Sequence, residues 1–159
     1  FKYKFPKDWK VVLLFDNKTK GTHGNKENKF FLDDSKSSLR KKLSDLTLNE
    51  IIPSVIHKDF DIFAKSLTQF QKINSSFYTS IQKSSYLSKH IEGLIKRVSS
   101  TFNVAAGQSS WGPTSYMVTN SRNDLKEIIS ILDKEISMYN NLSYDIVSAK
   151  NNGRKLSFI

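Results

Sequence analysis

The chain has 159 residues, enough for one domain with a modest core, and 38% of them are hydrophobic. There is no cysteine, which excludes a disulfide framework and a thiolate metal site, and the formal charge of +10 raises a nucleic-acid reading. Against that reading, the basic residues are mostly lysines scattered along the chain, and arginine occurs only at Arg40, Arg97, Arg122 and Arg154.

The first predicted element is a strand at Val11–Phe15, a continuous apolar run of the kind that lies in mid-sheet. Phe5 and Trp9 precede it and are expected to pack at its entry. A polar segment follows, residues 17–45, rich in Lys, Asn, Ser and Asp and read as one long loop. Within it, Gly21, Thr22, His23 and Gly24 form a glycine-rich turn. Thr47 and Glu50 have the spacing of a capping box, which predicts a helix whose apolar stripe is Leu48, Ile51, Ile52, Val55 and Ile56. Pro53 lies inside that pattern and should kink it or loosen a turn.

His57 falls at the end of that helix, and Asp59 is placed to cap the next, with Phe63, Leu67 and Phe70 on one face and an end near Asn74. Ser84 or Ser85 is expected to start a further helix carrying Leu87, Ile91, Leu94, Ile95 and Val98. Small residues then run through Ala105 and Ala106 to Gly107, and a second apolar run spans Ser115–Thr119. Between them lie Gln108, Ser109, Ser110, Trp111, Gly112, Pro113 and Thr114. This pattern predicts strand, loop, strand. The two glycines permit positive φ and a close backbone approach, so the loop could offer N–H groups and hydroxyls to an anion.

Ser121 and Asp124 cap a last helix with Leu125, Ile128, Ile129, Leu132 and Ile136 as its stripe, ended by Asn140 and Asn141. Tyr144–Ala149 is predicted as a strand, and Asn152-Gly153 as a turn into a partner strand over Lys155–Ile159. The sum is an α+β domain, with an antiparallel sheet, helices on one face, and a split βαβ order. His23, His57 and His90 are too far apart for a zinc motif, and no apolar run is long enough for a membrane helix. The expectation is therefore a cytoplasmic chain with no membrane partner. No nucleophile–base pair or Walker-type phosphate loop can be assembled from the spacing.

The wording Gly107-Gln108-Ser109-Ser110-Trp111-Gly112-Pro113-Thr114 resembles the third motif of the GHMP superfamily of small-molecule kinases and related enzymes. More narrowly it is similar to that of the β-ribofuranosylaminobenzene 5'-phosphate synthases. Phe5-Pro6-Lys7-Asp8-Trp9 before the first strand, and Gly21-Thr22-His23-Gly24 with Glu27 beyond, agree with the narrower match. The resemblance implies a ferredoxin-like carboxyl-terminal domain, with the amino-terminal domain and its main phosphate loop lying outside this chain. A start at Phe1 rather than methionine fits a fragment.

The same resemblance implies a phosphorylated small-molecule substrate bound by residues 107–114 together with Gly21, His23 and Gly24. It also implies magnesium, accompanying phosphoribosyl pyrophosphate or ATP and held mainly by residues outside this stretch, and it leaves homo-oligomerisation open. Synthase and kinase chemistry both remain open at this point, as does a non-enzymatic ferredoxin-like module binding nucleic acid or a regulatory ligand.

Overall fold

A computed structural model describes residues 2–20, 37–77, 84–110 and 112–153. Strand β1 (Lys10–Asp16) is the central strand of the sheet. It pairs antiparallel with β3 (Ser115–Thr119), Val12 opposite Met117, and with β4 (Leu142–Val147), Val12 opposite Ile146. Strand β2 (Ala105–Gln108) pairs with the outer side of β3, which makes the order β2-β3-β1-β4. This is an antiparallel sheet with split βαβ connections, as the element order required.

The pleat sends alternate residues to two separate cores. On one face Val12, Leu14, Ala106, Met117 and Leu142 meet Ile91, Leu94, Ile95 and Val98 of helix α4 (Lys89–Thr101). Ile128 and Leu132 of helix α5 (Arg122–Ile136) complete that core. On the other face Ala105 and Val118 pack with Trp9 against Phe60, Phe63 and Ala64 of helix α3 (Phe60–Ser75). Phe5 meets Trp9 edge-on with ring centroids 5.3 Å apart, which seals the entry to β1 as expected. The one-sided arrangement therefore holds for α4 and α5, while α3 covers the opposite face at the β2–β3 side. The apolar residues on both faces of β2 and β3 require that second cover.

Helix starts follow local chemistry where a side chain can reach the free N–H groups. The Asp59 carboxylate accepts from Ile62 N at 3.1 Å, and Ser121 Oγ accepts from Asp124 N at 3.1 Å. The start expected at Ser84 or Ser85 falls instead at Ser88, whose hydroxyl accepts from Ile91 N. Ser84 donates to the Glu92 carboxylate, which anchors the preceding segment to the helix.

The polar segment is not a loop to its end, because helix α1 occupies Ser37–Leu46. Leu39 and Leu43 pack on Phe77, and Leu46 is buried, a thin stripe diluted by polar neighbours. A π-helical turn, Thr47–Ile51, continues directly from α1 into α2 (Ile52–His57). Thr47 therefore caps nothing. Its hydroxyl donates back to the Leu43 carbonyl at 2.8 Å. The widened turn lies just ahead of Pro53, which stands in the first turn of α2 where a missing N–H is tolerated. Leu48 and Ile56 are exposed, so the stripe narrows to residues such as Ile51 and Val55, which pack on the aromatic core.

At the carboxyl-terminal end, α5 stops at Ile136, ahead of Asn140, and β4 begins two residues before the expected Tyr144. The strand expected over Lys155–Ile159 lies outside the described residues.

Candidate functional site

The carboxyl ends of β1 and β2 and the starts of β3 and β4 meet at one end of the sheet, and the β2–β3 loop crowns it. That loop is held from within. Ser109 N donates to Thr114 O and Gly112 N to Ser109 O, both at 2.9 Å. Ser110 and Gly112 take left-handed φ values of 50° and 70°, so glycine is needed at 112 for its backbone.

Gln108 is the pin that fixes this loop to the body. Its amide is buried, and Oε1 accepts from Leu87 N at 2.6 Å while Nε2 donates to the Ser110 carbonyl at 3.1 Å. Gly112 presses on that amide: a Cβ there would stand 3.0 Å from Gln108 Cδ and 3.2 Å from Leu87 Cβ. Gly107 serves packing rather than turning. It lies in β2 without positive φ, and a Cβ would run into the ring and hydroxyl of Tyr116, its cross-strand partner.

The hydroxyls of Ser109, Ser110 and Thr114 are left over. Ser109 and Ser110 are exposed, Thr114 is half-buried, and none of the three side chains makes a hydrogen bond among the described residues. The loop thus separates its duties, with Gln108 and both glycines fixing shape and the three hydroxyls uncommitted among the described residues. Pro113 follows Gly112 in the turn. Trp111, and Gly21, His23 and Gly24 of the earlier turn, lie outside the described residues.

Next to the loop, Leu87, held through its N–H by the Gln108 amide, leads into Ser88 and the amino terminus of α4. Asp16 closes the same end of the sheet from below. Its buried carboxylate accepts from Ser88 Oγ at 2.7 Å, Asn141 Nδ2 at 2.7 Å, Thr19 Oγ1 at 2.8 Å and Lys18 N at 3.1 Å. Burial alone would push this carboxyl up, but the four donors outweigh it and bring the pKa down to about 2. Asp16 is therefore an anionic anchor that ties β1, the segment leaving it, α4 and the start of β4 together.

On the opposite side of β2, Gln71 and Ser75 continue the buried stripe of α3 as polar residues. Gln71 Oε1 lies 3.0 Å from where a residue-107 Cβ would stand, beside the Tyr116 ring. Burial raises the Tyr116 phenol to about 12, so it stays a protonated donor across the working pH range. Sequence reading missed Asp16, Gln71 and Ser88, because each gains its meaning from partners far along the chain.

No family model matches the chain. Over 123 residues it is 24% identical to β-ribofuranosylphenol 5'-phosphate synthase of Methanothermobacter thermautotrophicus, covering 76% of this chain and 36% of that protein. Over 121 residues it is 29% identical to the protein of the same name in Archaeoglobus fulgidus, covering 74% and 34%. The chain thus matches about a third of the length of these curated relatives. Among solved structures, homoserine kinase from Cytophaga hutchinsonii matches with a TM-score of 0.56 at 11% identity, over 94% of this chain and 44% of that one. MDDEF in complex with MVAPP, AMPPCP and magnesium matches with a TM-score of 0.66 at 8% identity, over 90% and 47%.

The likeness is to the GHMP superfamily.

The solved GHMP structures establish likeness of fold, and the two curated relatives make the likeness one of sequence as well. Among the described residues no three His, Cys, Asp or Glu side chains gather where a metal could sit. The Asp16 carboxylate at this end of the sheet is already engaged by four hydrogen-bond donors, so among the described residues it does not fit as a magnesium ligand. Among the described residues no helix is long and apolar enough to cross a membrane.

Proposed function

We propose that this chain is the substrate-side part of an enzyme similar to β-ribofuranosylphenol 5'-phosphate synthase. The reaction would join the ribosyl phosphate of phosphoribosyl pyrophosphate to an amino- or hydroxybenzoate, with loss of carbon dioxide and pyrophosphate, on the way to methanopterin-type cofactors. The observation that carries this reading is the β2–β3 loop. A buried glutamine and two glycines fix its shape, and it carries three hydroxyls, those of Ser109, Ser110 and Thr114, that make no hydrogen bond among the described residues.

Such an arrangement suits a phosphate-bearing substrate. Hydroxyls donate to anionic oxygens, and a loop pinned in advance loses little freedom when the substrate arrives. In this proposal Ser109, Ser110 and Thr114 orient the phosphate, and Gly21, His23 and Gly24 approach the same substrate. The main phosphate-binding loop, and the groups that hold magnesium, belong to the rest of the protein. Sequence likeness favours the synthase over an ATP-dependent kinase, since the solved kinase resembles this chain in fold alone.

The test is an assay of the full-length protein with phosphoribosyl pyrophosphate and 4-hydroxybenzoate, in parallel with ATP and homoserine. Pyrophosphate release that depends on the aromatic acid is the expected result, with the 159-residue chain inactive by itself. Phosphoryl transfer from ATP without any reaction of phosphoribosyl pyrophosphate would replace the synthase reading with the kinase one. Turnover by the isolated chain would show that the active site needs no second part.

A further inference from the structure

At the opposite end of the sheet, a groove of about 510 Å³ runs between the arm leading into β1 and the segment leaving β4. Lys4, Lys7, Lys10 and Lys150 line it, and no carboxylate stands among its described lining residues. Its walls are fastened together. The Asn151 side chain accepts from Phe5 N at 2.8 Å and donates to the Phe5 carbonyl at 2.9 Å, which clamps the arm onto the end of the chain's last described segment. Lys10 Nζ donates to Ser148 Oγ at 2.8 Å and to the Lys7 carbonyl at 3.4 Å, so one ammonium is held across the groove. None of the four lysines forms an ion pair among the described residues.

We propose that this groove is a binding site for a short phosphate chain, a small oligophosphate anion. Four ammonium groups around one concavity repel each other, and a multiply charged anion between them removes that repulsion. Lysines present compact point charges that donate to phosphate oxygens from many directions. Among its described lining residues there is no arginine to grip a planar base or carboxylate, and its volume lies in the range of small-ligand sites. β1 enters the sheet at Lys10 and leaves it at Asp16, so the groove lies roughly 20 Å from the β2–β3 loop. The site is therefore separate from the proposed active end, and its occupancy does not depend on the chemistry there.

The experiment is calorimetric titration of the protein with inorganic tripolyphosphate at low and at high salt. The variants are Lys4→Gln/Lys7→Gln/Lys150→Gln, Lys10→Gln, and a control, Lys65→Gln/Lys126→Gln, that removes exposed charge elsewhere. The expected result is saturable binding that weakens with salt, lowered about ten-fold or more in the triple variant and unchanged in the control. All these side chains except the half-buried Lys10 are exposed, so folding is preserved, and thermal unfolding verifies it. Equal losses in the control and the triple variant would reduce the effect to diffuse net charge. Unaltered binding in the triple variant would place the anion elsewhere. A single-stranded oligonucleotide that binds the groove more tightly than tripolyphosphate would replace the oligophosphate with nucleic acid.

Discussion

The Asp16 carboxylate and the Ser88 hydroxyl are joined by a 2.7 Å hydrogen bond across 72 positions of sequence, and the same hydroxyl caps α4. One oxygen thus serves two purposes: it donates its proton to the carboxylate and accepts from Ile91 N. The end of the central strand is thereby fixed to the start of the helix that borders the candidate site. Ser88→Ala removes both contacts, and the expected loss is about 1.5–3 kcal/mol, the range for a hydrogen bond to a charged group. Asp16→Ala should cost at least as much, because it strands the Asn141 and Thr19 donors as well. Urea unfolding of both singles and the double measures this. The double variant should be less destabilised than the sum of the singles, and strict additivity would show that the bond contributes nothing.

The same carboxylate sets an acid limit on stability. Its pKa is depressed to about 2 from an ordinary 3.8, so the folded state favours the ionised form. A group depressed in this way contributes stability that is fully present above the unfolded pKa, near 4, and is lost as pH falls towards 2. Its contribution is on the order of 2 kcal/mol. Urea unfolding between pH 5 and pH 2 should show the decline in the wild type, and Asp16→Asn should be less stable at pH 5 and lose less over that interval. Parallel curves for the two proteins would remove Asp16 from the account.

Much of this fold was legible in residue order. The apolar run of β1, the paired strands on either side of the Gly107–Thr114 loop, and the caps at Asp59 and Ser121 all follow from local periodicity and capping chemistry. The misses have a shared cause. Thr47 and Glu50 satisfy a capping box, but a helix was already running from Ser37, so the hydroxyl turned back to Leu43. Ser84, Ser85 and Ser88 are equivalent as local caps, and only the approach of Asp16 selects Ser88. Within the candidate site, the loop's glycines were legible as necessary, yet the reason for Gly107 is the Tyr116 ring laid over it. Gln108 reads as a ligand-facing residue in sequence. Its burial between Leu87 and Ser110 is decided by tertiary packing.

The two loop glycines should fail for different reasons. Gly112→Val must place a β-branched residue at φ 70° and press its Cβ on Gln108, so strain of roughly 1–3 kcal/mol and loss of the pinned loop are expected. Gly107→Ala has no such backbone conflict but meets Tyr116, an overpacking cost of about 1–3 kcal/mol. Ser115→Ala, at a buried position whose hydroxyl makes no hydrogen bond among the described residues, should cost much less than either. Thermal melts rank the three. Equal and small losses for Gly112→Val and Ser115→Ala would mean that the turn is not constrained as described.

Ser109 and Ser110 carry the functional reading, and their expected role is binding rather than attack. Both are exposed in the loop, and among the described residues no histidine or carboxylate is hydrogen-bonded to either hydroxyl to serve as a base. Each can donate to an anionic oxygen, and losing one hydrogen bond to a charged group costs on the order of 1.5–3 kcal/mol, or roughly ten- to a hundred-fold in kcat/KM. Removal of a nucleophile would instead lower the rate by several orders of magnitude and abolish any covalent intermediate. Full-length Ser109→Ala and Ser110→Ala should therefore retain measurable turnover with phosphoribosyl pyrophosphate, with the loss expressed mainly in KM for that substrate and with thermal stability unchanged. Gln108→Leu provides the contrast, because it unpins the loop from Leu87 and should lower stability and activity together. Complete loss of activity in either alanine variant, together with a covalent serine adduct trapped on the wild type, would overturn the binding role.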